Sequence, residues 1–159
     1  MSDLTLVDKL ESDLKSIDIT KILKYNEKLQ DLTKGANTMN APLYLRDFIL
    51  AYDETNNLLV KATRYLSQAE SALKMAQSIA FFDEAPVFLK ERDMKDTVEA
   101  RKQYIPLNEG VQRAENVKAF AESLVSFLKN KMMEWRLAHD DIKKIAYAND
   151  NNNSPYEGM

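Results

Sequence analysis

The sequence predicts an all-α fold in which two short N-terminal helices pack on a long antiparallel helical hairpin with coiled-coil-like spacing. Three observations predict it. From Leu43 to Glu84 there is neither glycine nor proline, so about 40 residues run on without a helix breaker. Within that run Leu45, Tyr52, Leu59, Leu66, Leu73 and Ala80 recur every seven residues, and Phe48, Thr55, Ala62, Ala69 and Ala76 fill the intervening positions. That three-four spacing is the seam of a helix packed lengthwise on another. From Asn108 to Ala148 a second stripe answers it: Val117, Ala121, Leu124, Leu128, Trp135, Ala138, Ile142 and Ile145.

The elements follow in chain order. Asp3 to Lys15 reads as a short amphipathic helix with Leu4, Val7, Leu10 and Leu14 on one face. Asp18 is the expected N-cap of a second helix built on Ile19, Ile22, Leu23, Leu29 and Leu32, with Tyr25 nearer its rim. Gly35 is its expected C-cap, because glycine alone takes the left-handed conformation cheaply. The chain then loops to Pro42, where a helix can start. The first long helix is expected to run to about Asp83 and to end at Pro86, which lacks a backbone donor and crowds the preceding turn. Residues 87–104 are ambiguous. Asp93 or Thr97 caps a short helix through Val98, Arg101 and Tyr104, which Pro106 stops. Asn108, followed by Glu109, is a good N-cap for the last helix, and Lys143 and Lys144 complement its C-terminal end. Residues 1–148 read as a single helical domain, and 149–159 as a polar, disordered tail.

Composition removes several classes of function. With 45% hydrophobic and 30% charged residues, the chain is neither disordered nor membrane-embedded. It has no cysteine, which excludes disulfides, thiol catalysis and thiolate metal sites. The N-terminus lacks a signal-peptide pattern and no apolar run is long enough for a bilayer, so the expected location is cytoplasmic, with no membrane partner. The net charge of -3 argues against indiscriminate nucleic-acid binding but leaves local basic faces open.

Enzymatic chemistry finds little support, and no cofactor is expected. His139 is the single histidine. Glu134 lies five residues before it, off the Glu-x-x-His register of a di-iron bundle. There is no phosphate loop and no nucleophile elbow. The basic residues are more suggestive. Lys61, Arg64 and Lys74 lie on the first long helix, Lys90, Arg92, Lys95, Arg101 and Lys102 in the connector, and Lys118, Lys129, Lys131 and Arg136 on the last helix. Tyr65, Phe81, Phe82, Phe88, Tyr104 and Trp135 occur among them. Cations for phosphates and ring faces for bases are what a single-strand groove needs. Against this, Glu91, Asp93, Asp96 and Glu99 interleave with the cations, and Trp135 sits on the apolar stripe, where a core role is expected. Phe81, Phe82 and Phe88, beside Pro86 and Val87, form an apolar cluster that either contacts a subunit or partner or is covered by the connector helix.

The order of these features resembles the UvsY-type recombination mediator proteins of tailed phages. The similar stretches are Asp8-Lys-Leu-Glu-Ser-Asp-Leu-Lys15, Ile17-Asp-Ile-Thr-Lys-Ile-Leu23, Ala72-Leu-Lys-Met-Ala76 and Ile142-Lys-Lys-Ile145, with a Lys-x-x-Val element at Lys95 to Val98. The resemblance covers residues 4–147. It implies a small helical protein that assembles into a ring, binds single-stranded DNA, and helps load a RecA-like recombinase onto strands covered by single-strand-binding protein. The family's central stretch reads Ala-Leu-Lys-Ala-Arg, with both basic residues implicated in strand binding. Here Lys74 matches the lysine and Ala76 stands in place of the arginine, which shifts the contact role toward Arg64, Arg92 or Arg101. The expected DNA-binding residues are therefore Arg64, Lys74, Arg92, Arg101 and Lys102, with Phe81, Phe82 and Phe88 at an oligomer or partner contact. The expected partners are single-stranded DNA, the recombinase, the single-strand-binding protein and further copies of the chain. The other reading is a helical structural or adaptor protein of a phage particle, with protein contacts only.

Overall fold

A computed structural model describes residues 3–148, except the side chains of residues 3, 4 and 33. The expected tail over 149–159 and the apolar role expected of Leu4 lie outside the described residues. Among these residues every regular element is helical. In chain order they are α1 (Asp3–Lys15), α2 (Thr20–Thr33), α3 (Ala41–Ile79), a π-turn (Ala80–Glu84), α4 (Ala85–Glu91), α5 (Val98–Tyr104), a 3-10 turn (Ile105–Leu107) and α6 (Glu109–Tyr147). The fold class is the expected one: two long helices pack antiparallel, with short N-terminal helices against them.

The chain forms two compact units. The first comprises the N-terminal segment through Ile17 and Lys61–Val125, and the second Asp18–Val60 and the chain from Ser126. In the second unit α2, the start of α3 and the end of α6 bury Ile22, Ala41, Phe48, Ala51, Trp135, Ala138 and Ile142. The Trp135 ring lies 5.8 Å from Phe48 and 6.0 Å, edge-on, from Tyr25. Thr55, fully buried, donates its hydroxyl to the Ala51 carbonyl at 2.6 Å and accepts the Trp135 indole N–H at 3.0 Å. A polar residue on the seam is thus satisfied on both sides, as burial demands. Burial, and then the negative charge of Glu54, raise the Tyr25 hydroxyl above its ordinary pKa.

In the first unit α1 buries Val7, Leu10 and Leu14, while the long helices bury Ala62, Ala69, Ala72, Val111, Ala114, Val117, Ala121 and Val125. The seam is centred differently from the heptad leucines. Phe48, Thr55, Ala62 and Ala69 are fully buried, while Leu45, Leu59, Leu66 and Leu73 are half-buried and Tyr52 is exposed. Small side chains at the centre let the helices approach, and the leucines straddle the contact.

Two boundaries differ from the sequence expectation, and a third is decided between the alternatives it left. The long helix does not stop at Asp83; it passes through the π-turn, where Ala85 N–H reaches the Ala80 carbonyl five residues back, and continues as α4 to Glu91. Pro86 then occupies the first turn of α4, where its missing donor costs nothing, and the wider turn precedes it where its ring needs relief. Asp18 is not the N-cap of α2. That position is Ile19, and the Asp18 carboxylate instead accepts the Thr20 N–H at 2.8 Å; hydrogen bonding from the Thr20 side chain, and then from its backbone N–H, holds the Asp18 pKa below the ordinary Asp range. Of the two candidate caps for α5, Thr97 serves, accepting the Ala100 N–H at 3.1 Å. Asp93 instead ends α4 at φ +54°. Its N–H bonds the Lys90 carbonyl and Met94 N–H bonds Leu89, a Schellman arrangement in which glycine is the usual residue. Gly35, at φ +138°, does follow α2 as expected.

Candidate nucleic-acid interface

All five sequence-derived cations, Arg64, Lys74, Arg92, Arg101 and Lys102, fall in the first unit. The structure does not gather them into one site. Arg64 is exposed on α3 and lines a groove of about 600 Å³ between α1 and α3. On the α1 side that groove is walled by Leu6, Lys9, Leu10 and Asp13, and on the α3 side by Lys61, Arg64, Tyr65, Gln68, Ser71 and Met75 among others. Its lining thus carries three cations against one acid. Among the described residues none of Lys9, Lys61 and Arg64 forms an ion pair, and the Lys61 ammonium lies 5.9 Å from the Tyr65 ring centroid. Unpaired cations beside a ring can meet an anionic strand without first giving up an internal partner.

Arg92 lines a second groove, of about 820 Å³, between α3, α4, the connector and α6. Its guanidinium sits 3.9 Å over the Phe88 ring, whose centroid is 4.6 Å from that of Tyr104. Tyr104 donates to Glu84 at 3.4 Å, and the Asn108 amide donates both to Glu84 and, at 3.2 Å, to Tyr104. The other side of Asn108 caps α6 as the sequence predicted, accepting the Val111 N–H at 3.0 Å. This residue therefore ties the end of the π-turn to the start of α6. A Cβ on Gly110 would stand 3.1 Å from that capping oxygen.

Arg101 is differently placed. Its Nε and Nη2 each donate at 2.6 Å to Asp96, and it lies 5.6 Å from the Phe81 centroid. That hydrogen-bonded pairing raises the Arg101 pKa and holds the Asp96 carboxyl below the ordinary range. Lys74 and Lys102 are exposed and line neither groove. In the Ala72–Ala76 stretch Ala72 is buried, Lys74 is exposed, and Ala76 lines the larger groove. An arginine at position 76 would enter the groove that Arg92 borders.

The connector covers part of the apolar cluster. Phe81 and Phe88 are half-buried beneath connector side chains, whereas Phe82 and Val87 stay exposed at 66% and 56%. Trp135 is core. His139 lies 3.4 Å from Asp140 in the second unit, and no group of metal-ligating side chains occurs among the described residues. No described helix is long and apolar enough to cross a membrane.

Sequence reasoning missed Lys9, and with it the part α1 plays in the smaller groove. The signal was there. Leu6, Lys9, Leu10 and Asp13 on α1, and Lys61, Arg64, Tyr65, Gln68, Ser71 and Met75 on α3, each keep the spacing of one helix face. Set against protein-family models, curated proteins and solved structures, the chain matches none.

Proposed function

We propose that the protein is a non-enzymatic recombination mediator that binds single-stranded DNA and helps load a RecA-like recombinase. The observation that carries the reading is the α1–α3 groove, where Lys9, Lys61 and Arg64, without an ion-pair partner among the described residues, share the lining with Tyr65. Backbone phosphates lie along the three cations and a base stacks on the ring, the division of labour that sequence-tolerant single-strand binding requires. The resemblance over residues 4–147 supports the same reading, and on it the recombinase and the single-strand-binding protein meet other faces of the protein. Three contacts per chain give weak binding by themselves. Self-association, as in a ring, multiplies them through effective concentration.

The test is fluorescence anisotropy of a labelled single-stranded oligonucleotide, titrated at low and moderate salt and compared with duplex. The expected result is binding that prefers the single strand and weakens with salt, and that the Lys61→Ala/Arg64→Ala pair lowers by about tenfold or more at low salt, with a shallower salt slope. Absence of binding at low salt, at concentrations where the chain is oligomeric, sinks the reading. It leaves the structural or adaptor protein, which the exposed Phe82 and Val87 favour.

A further inference from the structure

The cations of the first unit fall into two kinds. Lys9, Lys61, Arg64 and Arg92 have no carboxylate partner among the described residues, whereas Arg101 has its fork filled. Asp96 meets Nε and Nη2 through both of its oxygens, each at 2.6 Å. Two parallel bonds from one guanidinium edge to two oxygens on one centre are also how arginine grips a phosphate. The Asp96 carboxylate therefore occupies the place and the bonds of a phosphate group.

The surroundings keep the pair displaceable. The Asp96 side chain is 42% exposed and that of Arg101 26% exposed, so water and solute reach both. The guanidinium stays near the Phe81 ring, 5.6 Å from its centroid, which helps to hold its direction when the carboxylate leaves. Asp96 lies in the segment between α4 and α5, one residue before the Thr97 cap that holds the first turn of α5. It can swing away without breaking that cap.

We infer that Arg101 is a second-line phosphate contact of the DNA-binding unit, and that Asp96 is an intramolecular stand-in for the phosphate, masking Arg101 until a strand displaces it. This rests on the DNA-binding reading of the first unit and adds a specificity device to it. A lone anion gains little by replacing a carboxylate already in place. A polyanion anchored at Lys61 and Arg64, and long enough to follow α3 to the π-turn about 25 Å further on at 1.5 Å per residue, presents phosphate to Arg101 at raised local concentration and displaces the carboxylate. Masking thus discriminates against small anions and short or weakly held strands.

The test uses the full chain in four versions: wild type, Asp96→Asn, Arg101→Ala and the double variant, with Glu91→Gln as a control that removes one exposed acid of the same unit elsewhere. Binding of a labelled single strand is followed by anisotropy across salt, and folding by thermal melting. Asp96→Asn is expected to tighten binding about two- to fivefold at low salt with little change in salt slope, because the strand reaches Arg101 in both proteins. Arg101→Ala is expected to make the slope shallower by about 0.7, the increment of one phosphate contact on a single strand. Glu91→Gln is expected to tighten binding less and to leave the slope unchanged, and the gain from Asp96→Asn is expected to vanish in the Arg101→Ala background. Equal tightening by Glu91→Gln and Asp96→Asn would reduce the effect to net charge and overturn the inference. So would a lower melting temperature of Asp96→Asn with unchanged affinity, which makes the pair a structural staple. Wild type that binds normally while Asp96→Asn gains nothing refutes masking alone; failure of every version to bind refutes the DNA-binding reading as well.

Discussion

In the unit formed by Asp18–Val60 and the chain from Ser126, the long helices close around rings: Trp135 and Phe48 are fully buried, with Tyr25 against the indole. In the unit formed through Ile17 and Lys61–Val125, the same two helices close on methyl groups, from Ala62, Ala69 and Ala72 across to Ala114, Val117 and Ala121. The ring-filled unit adds one short helix, α2, to the pair. The alanine-filled unit leaves room for added pieces, namely α1, the π-turn, α4 and α5, and the spaces between those pieces are the grooves of about 600 and 820 Å³. The difference teaches a division of labour along one pair of helices. Large side chains fix the hairpin at one unit, and small ones at the other let extra elements approach and shape surfaces.

The largest test of that contrast is Trp135→Ala, expected to cost about 3–5 kcal/mol as a buried ring leaves a cavity, measured by denaturant unfolding followed by circular dichroism. No single truncation on the α3 or α6 seam of the first unit removes as much side chain, so Val111→Ala or Val117→Ala should cost clearly less. A loss at either valine as large as that at Trp135 would break the comparison. Thr55→Val should cost about 1–3 kcal/mol in spite of its added apolar surface, because it strands the Trp135 indole N–H in the core. Urea unfolding read by Trp135 fluorescence measures it, and an unchanged stability would mean that the indole finds another acceptor.

Much of this division was legible in the sequence, and the reasons differ by residue. The apolar spacing placed both long helices, and the lack of breakers from Leu43 to Glu84 supported the first, because helix period and proline chemistry are local properties. Asn108 and Gly35 were legible for the same reason. The centre of the seam was not, since spacing alone does not tell whether Leu66 or Ala69 faces the partner helix. Pro86 misled because the cost of a proline is local, while the π-turn that accommodates it rests on a bond from Ala85 to Ala80 and on the anchoring of Glu84 by Asn108, 24 residues later. The candidate site was partly legible. Arg64 was chosen and belongs to a groove, but Lys9 reaches that groove only because α1 packs there. The engagement of Arg101 by Asp96 depends on a bent connector that no periodicity describes.

Smaller effects sharpen the account of that connector. Asp93 holds a left-handed conformation that costs a non-glycine residue about 1 kcal/mol or more, so Asp93→Gly should raise stability by about 0.5 kcal/mol after the added freedom of the unfolded chain is subtracted. Thermal melting against wild type checks it, and a lower melting temperature would show that the aspartate side chain stabilises the turn. The smallest effect is one of pH. Pairing with Arg101 depresses the folded-state pKa of Asp96, so its contribution is present above the ordinary Asp range and is lost as pH falls through the lowered value. Any melting difference between wild type and Asp96→Asn should therefore be constant near neutrality and shrink from about pH 4 downward; a difference that grows on acidification would contradict the assignment.

The contrast between the units is tested most directly by labelling surface lysines with an amine-reactive reagent, with and without a single-stranded oligonucleotide, and reading each site by mass spectrometry. Lysines of the ring-filled unit serve as internal controls. Lys9 and Lys61 should lose most of their reactivity when the strand is bound, while Lys21, Lys24, Lys129 and Lys143 keep theirs. Protection centred on those four lysines, or spread evenly over both units, would contradict the assignment of strand binding to the alanine-filled unit.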